Sequence, residues 1–277
     1  MEFSMSLAAD HSLHTLCCES AVFISDLHLS DEIPYLLEKF QHFCEKINPL
    51  NTQYLIVLGD LFEAYCGDDD RSPIIIAVET VFLALHSRGV RVAFMPGNRD
   101  FMVGQHFIQR CHLELLASPC VLKQYQHNNT YNNVLLAHGD EWCTLDIQYQ
   151  QFRSTSRQVQ WQMSFLAQPL HLRQAQVKAY RVNAKAHISC EKNSKQSVQS
   201  VDIMDVEDNT VLAAATLHNC HVILHGHTHK PGIRQLNDKY DGAVSKYVLG
   251  DWDEHNQYSI VYAVLLAKVN LQLCVFL

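Results

Sequence analysis

Five short apolar runs in this chain each end in a tight cluster of glycine, carboxylate, imidazole or amide residues. That repeated junction restricts the available folds more than any other feature. The run from Ala21 to Ser25 leads into Asp26-Leu27-His28, Tyr54 to Leu58 into Gly59-Asp60-Leu61-Phe62-Glu63, and Val90 to Met95 into Pro96-Gly97-Asn98-Arg99-Asp100. Asn133 to Ala137 leads into His138-Gly139-Asp140, and His221 to Leu224 into His225-Gly226-His227-Thr228-His229. Short apolar runs bounded by turn residues read as buried strands. Between them, Tyr35, Leu36, Phe40, Phe43, Cys44 and Ile47 recur at helical spacing. Pro73 opens a helix reaching Ser87, where its missing N–H costs nothing, and a further helix spans about Val206 to His218. Residues 244 to 276 read as two or three more strands. Strands alternating with helices predict an α/β layered domain. Open α/β sheets bind ligands at the carboxyl ends of their strands, so five chemically loaded ends converge on one place.

Two stretches fall outside this alternation. Residues 1–20 read as an N-terminal extension; they carry Glu2, Asp10 and Glu19 and lack the basic start and apolar stretch of a secretory leader. Residues 145–200 hold no strand-like run and read as a helical insertion, dividing the core into 21–144 and 201–277. A charged fraction of 18% against 48% hydrophobic residues rules out wholesale disorder. A net charge of −8 argues against broad coating of nucleic acid. No run of 18 apolar residues occurs, so no segment reads as spanning a bilayer. The ten cysteines are scattered without a Cys-x-x-Cys pair and read as buried thiols of a reducing compartment.

The chemistry of the five ends is that of a two-metal site. Asp26 and His28 are one residue apart, so an extended backbone would point both the same way, and His227 and His229 repeat the spacing. Asp60 is the natural carboxylate to bridge two cations. Mixed imidazole, carboxylate and amide donors suit manganese, zinc or iron better than magnesium or calcium. Each of Asp26, Asp60 and Asn98 alone would read as a turn residue or helix cap; their order alongside His28, His138, His227 and His229 favours metal.

The series D-x-H, G-D, G-N, H and G-H-x-H, in this order, resembles the calcineurin-like metallophosphoesterases. The strings FISDLHLS, GDLFEAYCGDDD, MPGNRDF, AHGDEWCTLDIQYQ, HGHTHKP and LGDW resemble the UDP-2,3-diacylglucosamine hydrolases of lipid A synthesis within that group, over residues 21 to 260. The resemblance implies a sandwich of two β-sheets flanked by helices, with a helical insertion. It implies that Asp26, His28, Asp60 and His229 hold one divalent cation. Asp60, Asn98, His138 and His227 would hold the other, and in this family the metal is usually manganese. It further implies a hydrolase that cleaves a pyrophosphate by water attack on the α-phosphorus, with Asp60, Asn98, Arg99 and His138 at the reacting centre. Arg99 stands where the superfamily commonly has histidine. Arginine cannot serve as a general acid near neutral pH, so it would clamp phosphate oxygens through its fork of donors.

Substrate contacts implied by the same matching are Asn98, Arg99, Asp146, Ser189, Asn193, Lys195 and His227. The partner would be a nucleotide-activated lipid, met by a cytoplasmic enzyme resting peripherally on the bacterial inner membrane. Phe152, Trp161, Phe165, Leu166 and Leu170 of the insertion read either as an acyl trough or as core. Arg153, Arg157, Arg173, Lys178, Arg181 and Lys185 read either as a surface for anionic headgroups or as a solvated face. Asp68, Asp69 and Asp70 read as a solvated loop or a cap ahead of Pro73, and Asp146 equally well as a helix N-cap. Asp100 and Asp140 read as hydrogen-bond partners of ligand histidines or as turn residues, His225 as a structural histidine beside the ligands, and Glu63 as a loop support without chemistry. Two other functions stay open at this level. One is a phosphoesterase acting on soluble nucleotide diesters; the other is a non-catalytic lipid-nucleotide binder.

Overall fold

An unbroken aliphatic strand such as Tyr54-Leu-Ile-Val-Leu58 must be covered on both faces, and the architecture supplies a cover for each. The computed structural model describes residues 14–125, 131–193, 205–238, 242–252, 260–266 and 271–276. In the first six-stranded sheet, β2 (Ala21–Ile24), β3 (Tyr54–Leu58), β4 (Arg91–Met95) and β5 (Leu113–Leu115) run parallel. Antiparallel β11 (Ile260–Leu265) and β12 (Gln272–Phe276) extend it beyond β2. The second sheet is ordered β1 (Thr15–Cys18), β6 (Cys120–Tyr125), β7 (Tyr131–Ala137), β8 (Val222–His225), β10 (Gly242–Val248) and β9 (Gly232–Asp238).

Side-chain alternation then sorts the core into layers. Val22, Ile24, Leu55, Val57, Val92 and Phe94 face α1 (Pro34–Lys46), α2 (Pro73–Ser87) and α3 (Gln105–Arg110). Their neighbours Phe23, Tyr54, Ile56, Leu58, Ala93 and Met95 face the second sheet and meet Leu16, Leu122, Val134, Leu136 and Leu224. The outer face of that sheet, through Leu135, Ala137 and Ile223, packs on Val211 and Ala215 of α7 (Asp208–Leu217). The result is a two-sheet sandwich flanked by helices, as the family resemblance implies.

The structure differs from the sequence-based expectation in several strands. β1 falls inside the stretch read as an extension, and β5, β6, β9 and the short α3 were not anticipated. These elements are short or carry polar residues. In β6 the buried Gln124 interrupts the apolar pattern, and its amide donates to the Leu266 carbonyl at 2.9 Å.

The insertion is helical, with α4 (Ile147–Ser156), α5 (Val159–Leu166) and α6 (Leu170–Asn193). Phe165 is buried in the helix-side core, with half-buried Trp161 and Val177 packed against it, so Phe165 is core and not trough. The basic residues are also corrected. Arg173 is only 2% exposed and binds the Cys66 carbonyl, Asp69 and, at 3.0 Å, the Gln168 carbonyl. Arg153 pairs with Asp140 at 2.9 Å, Arg157 donates to the Gly97 carbonyl at 2.9 Å, and Arg181 pairs with Glu63. These four arginines face the protein rather than a headgroup layer; Lys178 is exposed.

Of Asp68, Asp69 and Asp70, only Asp69 is exposed as a solvated loop would be, and all three carboxylates are engaged. Asp68 accepts from the backbone N–H groups of Gly104 and His106, each at 2.9 Å, and so caps α3. Asp69 and Asp70 receive Arg173 and Gln174 of α6, and the cap on Ile74 falls to Asp31 at 2.9 Å. The nine cysteines among the described residues form no disulfide with one another, and seven are buried. No helix among the described residues is long and apolar enough to cross a membrane.

Candidate metal centre

The backbone at the strand ends is unusual before any side chain is considered. Asp26, His28, Asp60, His227 and His229 all have positive φ, between 50° and 65°. Residues with a β-carbon rarely adopt this left-handed conformation, and such strain collects where side chains must be aimed. This corrects the extended geometry expected for Asp26-x-His28 and His227-x-His229: each pair converges through two left-handed residues, not along a strand. The loops are fastened to one another. Asp26 N–H donates to the Gly59 carbonyl at 3.1 Å, His28 to Asp60 at 3.0 Å and Leu29 to Leu61 at 2.9 Å. Close approach requires glycine at several points, Gly97 beside Asp60 among them. A β-carbon on Gly59, whose φ is +85°, would collide with His138 Nδ1, and one on Gly226 would collide with Asp26 Oδ2.

All seven expected ligands come together. Asp26, His28 and His229 bring ligand atoms within 4.8 Å of one another, and Asp26, Asp60 and His138 do the same. His28 Nε2 faces His229 Nε2 at 3.3 Å, and His229 Nε2 lies 3.5 Å from Asp26 Oδ1. Asn98 Oδ1 stands 2.9 Å from both His138 Nε2 and His227 Nδ1. His138 Nδ1 donates to the Leu58 carbonyl at 2.8 Å, which leaves the Nε2 lone pair for a cation. Asp26 and His138 are fully buried, and Asp26 Oδ1 has no hydrogen-bond partner. Facing electron-pair donors around an unpartnered buried carboxylate oxygen fit a pair of divalent cations.

The electrostatics divide the histidines. Burial pushes His227 down to about 4, helped by His138, and burial also lowers His28. Burial opposes the charge of His138 and His229, but carboxylates outweigh it. Asp60, Asp26 and Asp140 raise His138 to about 9, while Asp251 and Asp26 raise His229 to about 10. Burial likewise opposes the charge of Asp26, yet His229, His138 and His28 hold its carboxyl well below the usual range.

The surrounding residues depart from expectation. Asp100 accepts from the backbone N–H groups of Leu61 and Gly97, each at 2.7 Å, tying two loops together without touching the histidines. Asp140 bonds the Tyr149 hydroxyl and Arg153 of the insertion. Asp146 caps α4, accepting from Tyr149 N–H at 2.9 Å. His225 is fully buried with Nδ1 2.9 Å from the Gly226 carbonyl oxygen, and burial pushes it down to about 4. Arg99 is held by its backbone N–H on Asp60 Oδ1 at 2.8 Å, and its guanidinium reaches Glu63 at 3.2 Å. Two residues were missed. Asp251 lies 3.2 Å from His229 Nδ1, and Glu63 lies 3.3 Å from His28 Nδ1. Asp251 carried a readable signal: Gly250-Asp251 after β10 repeats Gly59-Asp60 after β3. Ser189 and Asn193 fall in the last turns of α6, outside the residues whose side chains are described, as does Lys185; Lys195 lies outside the described residues.

The calcineurin-like phosphoesterase family matches residues 20–231, a span that holds all seven converging ligands. The chain belongs to that family. A phosphoesterase relative from Hahella chejuensis is 38% identical over 251 residues, 91% of this chain and 97% of the relative, and is named UDP-2,3-diacylglucosamine hydrolase. Phosphoesterases of the same name from Aeromonas salmonicida and Stenotrophomonas maltophilia are each 39% identical. Each alignment covers 85% of this chain, with 87% and 92% of those relatives respectively.

Proposed function

We propose that this phosphoesterase hydrolyses the pyrophosphate bond of UDP-2,3-diacylglucosamine by water attack on the α-phosphorus. The products are UMP and 2,3-diacylglucosamine 1-phosphate, a step of lipid A synthesis. The observation that carries the reading is the convergence of Asp26, His28, Asp60, Asn98, His138, His227 and His229 on one buried, electron-rich cluster. The relatives, which align over nearly their whole length, supply the substrate.

Asp26, His28, Asp60 and His229 would hold one divalent cation. Asp60, Asn98, His138 and His227 would hold a second, with manganese the expected metal. Bound there, the cations lower the pKa of a water and neutralise charge developing on the phosphoryl group. His28 and His227, whose pKa values are lowered, present neutral imidazoles. Arg99 offers a planar fork of donors to the diphosphate. A phosphate leaving group departs without an acid, so the absence of a histidine at position 99 fits an anhydride substrate. Asp146, Ser189, Asn193 and Lys195 are proposed to meet the nucleotide and sugar.

The insertion would take the acyl chains. Phe152 stacks on Tyr180 with ring centroids 4.5 Å apart and meets Trp161 at 6.2 Å, giving an aromatic wall on the insertion. Each methylene buried against such a wall contributes about 0.8 kcal/mol. Val159, Met163, Leu172, Tyr180 and Val182 are exposed on the same helices and suit peripheral contact with the inner membrane.

The test is turnover of UDP-2,3-diacylglucosamine by purified, manganese-loaded protein, with UMP as the readout and Asp60→Ala as the silent control. Absence of UMP from the folded, loaded protein overturns the reading.

A further inference from the structure

Glu63 lies three residues beyond Asp60, and its backbone is fixed. Its N–H donates to the Leu29 carbonyl at 3.0 Å, and the preceding Phe62 is fully buried and pairs in a short parallel bridge with Leu29. The carboxylate is therefore delivered to a set place beside the metal centre. There it meets three groups from three separate segments. Oε2 lies 3.3 Å from His28 Nδ1 and 3.2 Å from Arg99 Nη1, and Oε1 pairs with Arg181 of the insertion helix α6.

Arg99 Nε also lies 3.8 Å from Asp60 Oδ2, so once that carboxylate is given over to a cation the two guanidiniums share the carboxylate of Glu63. Donor capacity is left over: Arg181 Nε is buried and has no hydrogen-bond partner among the described residues. Arg99 in turn is pinned by its main chain, its N–H on Asp60 and its carbonyl accepting from Tyr65 N–H at 3.2 Å. A cationic pair with a dry, unused donor next to a phosphoryl site suits a group with several anionic oxygens.

We infer that Glu63 is a positioning residue that draws Arg99 of the core and Arg181 of the insertion into one clamp for the substrate's diphosphate. This rests on the anhydride substrate proposed above. Glu63 touches the arginines and His28, not the substrate; its effect reaches the diphosphate through them. Without its charge, the two guanidiniums repel and separate, and Arg181 keeps only the pull of Glu32 and Asp60.

The experiment compares wild type, Glu63→Gln, Arg181→Ala and the double variant, each manganese-loaded. KM and kcat are measured on UDP-2,3-diacylglucosamine, the Kd for UDP is measured by calorimetry, and metal content is measured by elemental analysis. Each single change is expected to raise KM and the UDP Kd about tenfold while kcat changes by less than about threefold. The double variant is expected to be no worse than the weaker single one, because both remove the same clamp. Glu63→Asp, which keeps the charge on a shorter arm, should recover part of the loss. Multiplying effects in the double variant, or unchanged UDP affinity in either single variant, overturns the clamp. A kcat loss that tracks metal loss in Glu63→Gln also overturns it. A wild type that binds UDP with the expected variant pattern but releases no UMP would instead overturn the substrate assignment alone.

Discussion

The strand-end loops and the helical insertion meet at the same place but are held there by different forces. The loops are joined main chain to main chain, through Asp26 to Gly59, His28 to Asp60 and Gly226 to His138, at distances of 3.0–3.1 Å. Five of their seven ligands sit in left-handed conformations that only a rigid surround can enforce. The insertion is made of ordinary helix and is attached by side chains: Arg153 on Asp140, Arg157 on Gly97, Arg173 on Asp69 and Gln174 on Asp70. The metal centre is thus organised by backbone geometry, and the insertion is fastened by side-chain bonds. Damage to one region should leave the other standing.

The largest expected effect separates the two from the loop side. Asp26→Asn keeps the shape of a buried ligand and removes its charge. Turnover should fall about a thousandfold and bound metal should drop, since the site loses charge aimed at the cations. Hydrogen exchange across α4, α5 and α6 should not change; an insertion that loosened with it would break the separation.

The converse change is Arg173→Met. It strands the Cys66 and Gln168 carbonyls in a buried site, so local opening of the insertion should become easier by about 2 kcal/mol, roughly thirtyfold in proteolytic exposure. Metal content should stay at the wild-type value. Loss of metal in this variant would show that the insertion helps build the centre.

A smaller effect sharpens the electrostatic half of the comparison. His138 and His229, raised to about 9 and about 10, carry protons at neutral pH before metal enters. A cation must displace them, so affinity should rise between pH 6.5 and 8.5 by about tenfold per unit for each proton expelled. Calorimetry in two buffers of different ionisation heat counts those protons. A flat pH response would mean that the two histidines enter the reaction neutral.

The order and chemistry of the centre were legible because β2, β3, β4, β7 and β8 are buried on both faces and announce their ends by abrupt polarity. The geometry that aims the ligands was not. Nothing in Asp26-Leu27-His28 signals positive φ at two residues that carry a β-carbon, because that conformation is imposed by neighbouring loops distant in sequence. β1 and β9, at the sheet edges, and β6, which buries Gln124, lack the continuous apolar pattern that marks the central strands. The basic residues of α6 show no periodicity that distinguishes an inward Arg173 from an outward Lys178; their partners, Asp69 and Glu63, lie over a hundred residues away.

The pairing of β2 with β11 has a consequence for how the molecule matures. Asp26 lies just after β2, its carbonyl accepts from Trp252 N–H at 3.1 Å, and His229 and Asp251 arrive from the far end of the chain. A polypeptide still emerging from the ribosome has the early carboxylates but not the late imidazoles. Tight capture of a cation therefore waits for the final strands to dock, and ion uptake during refolding should coincide with the last step of tertiary assembly rather than precede it.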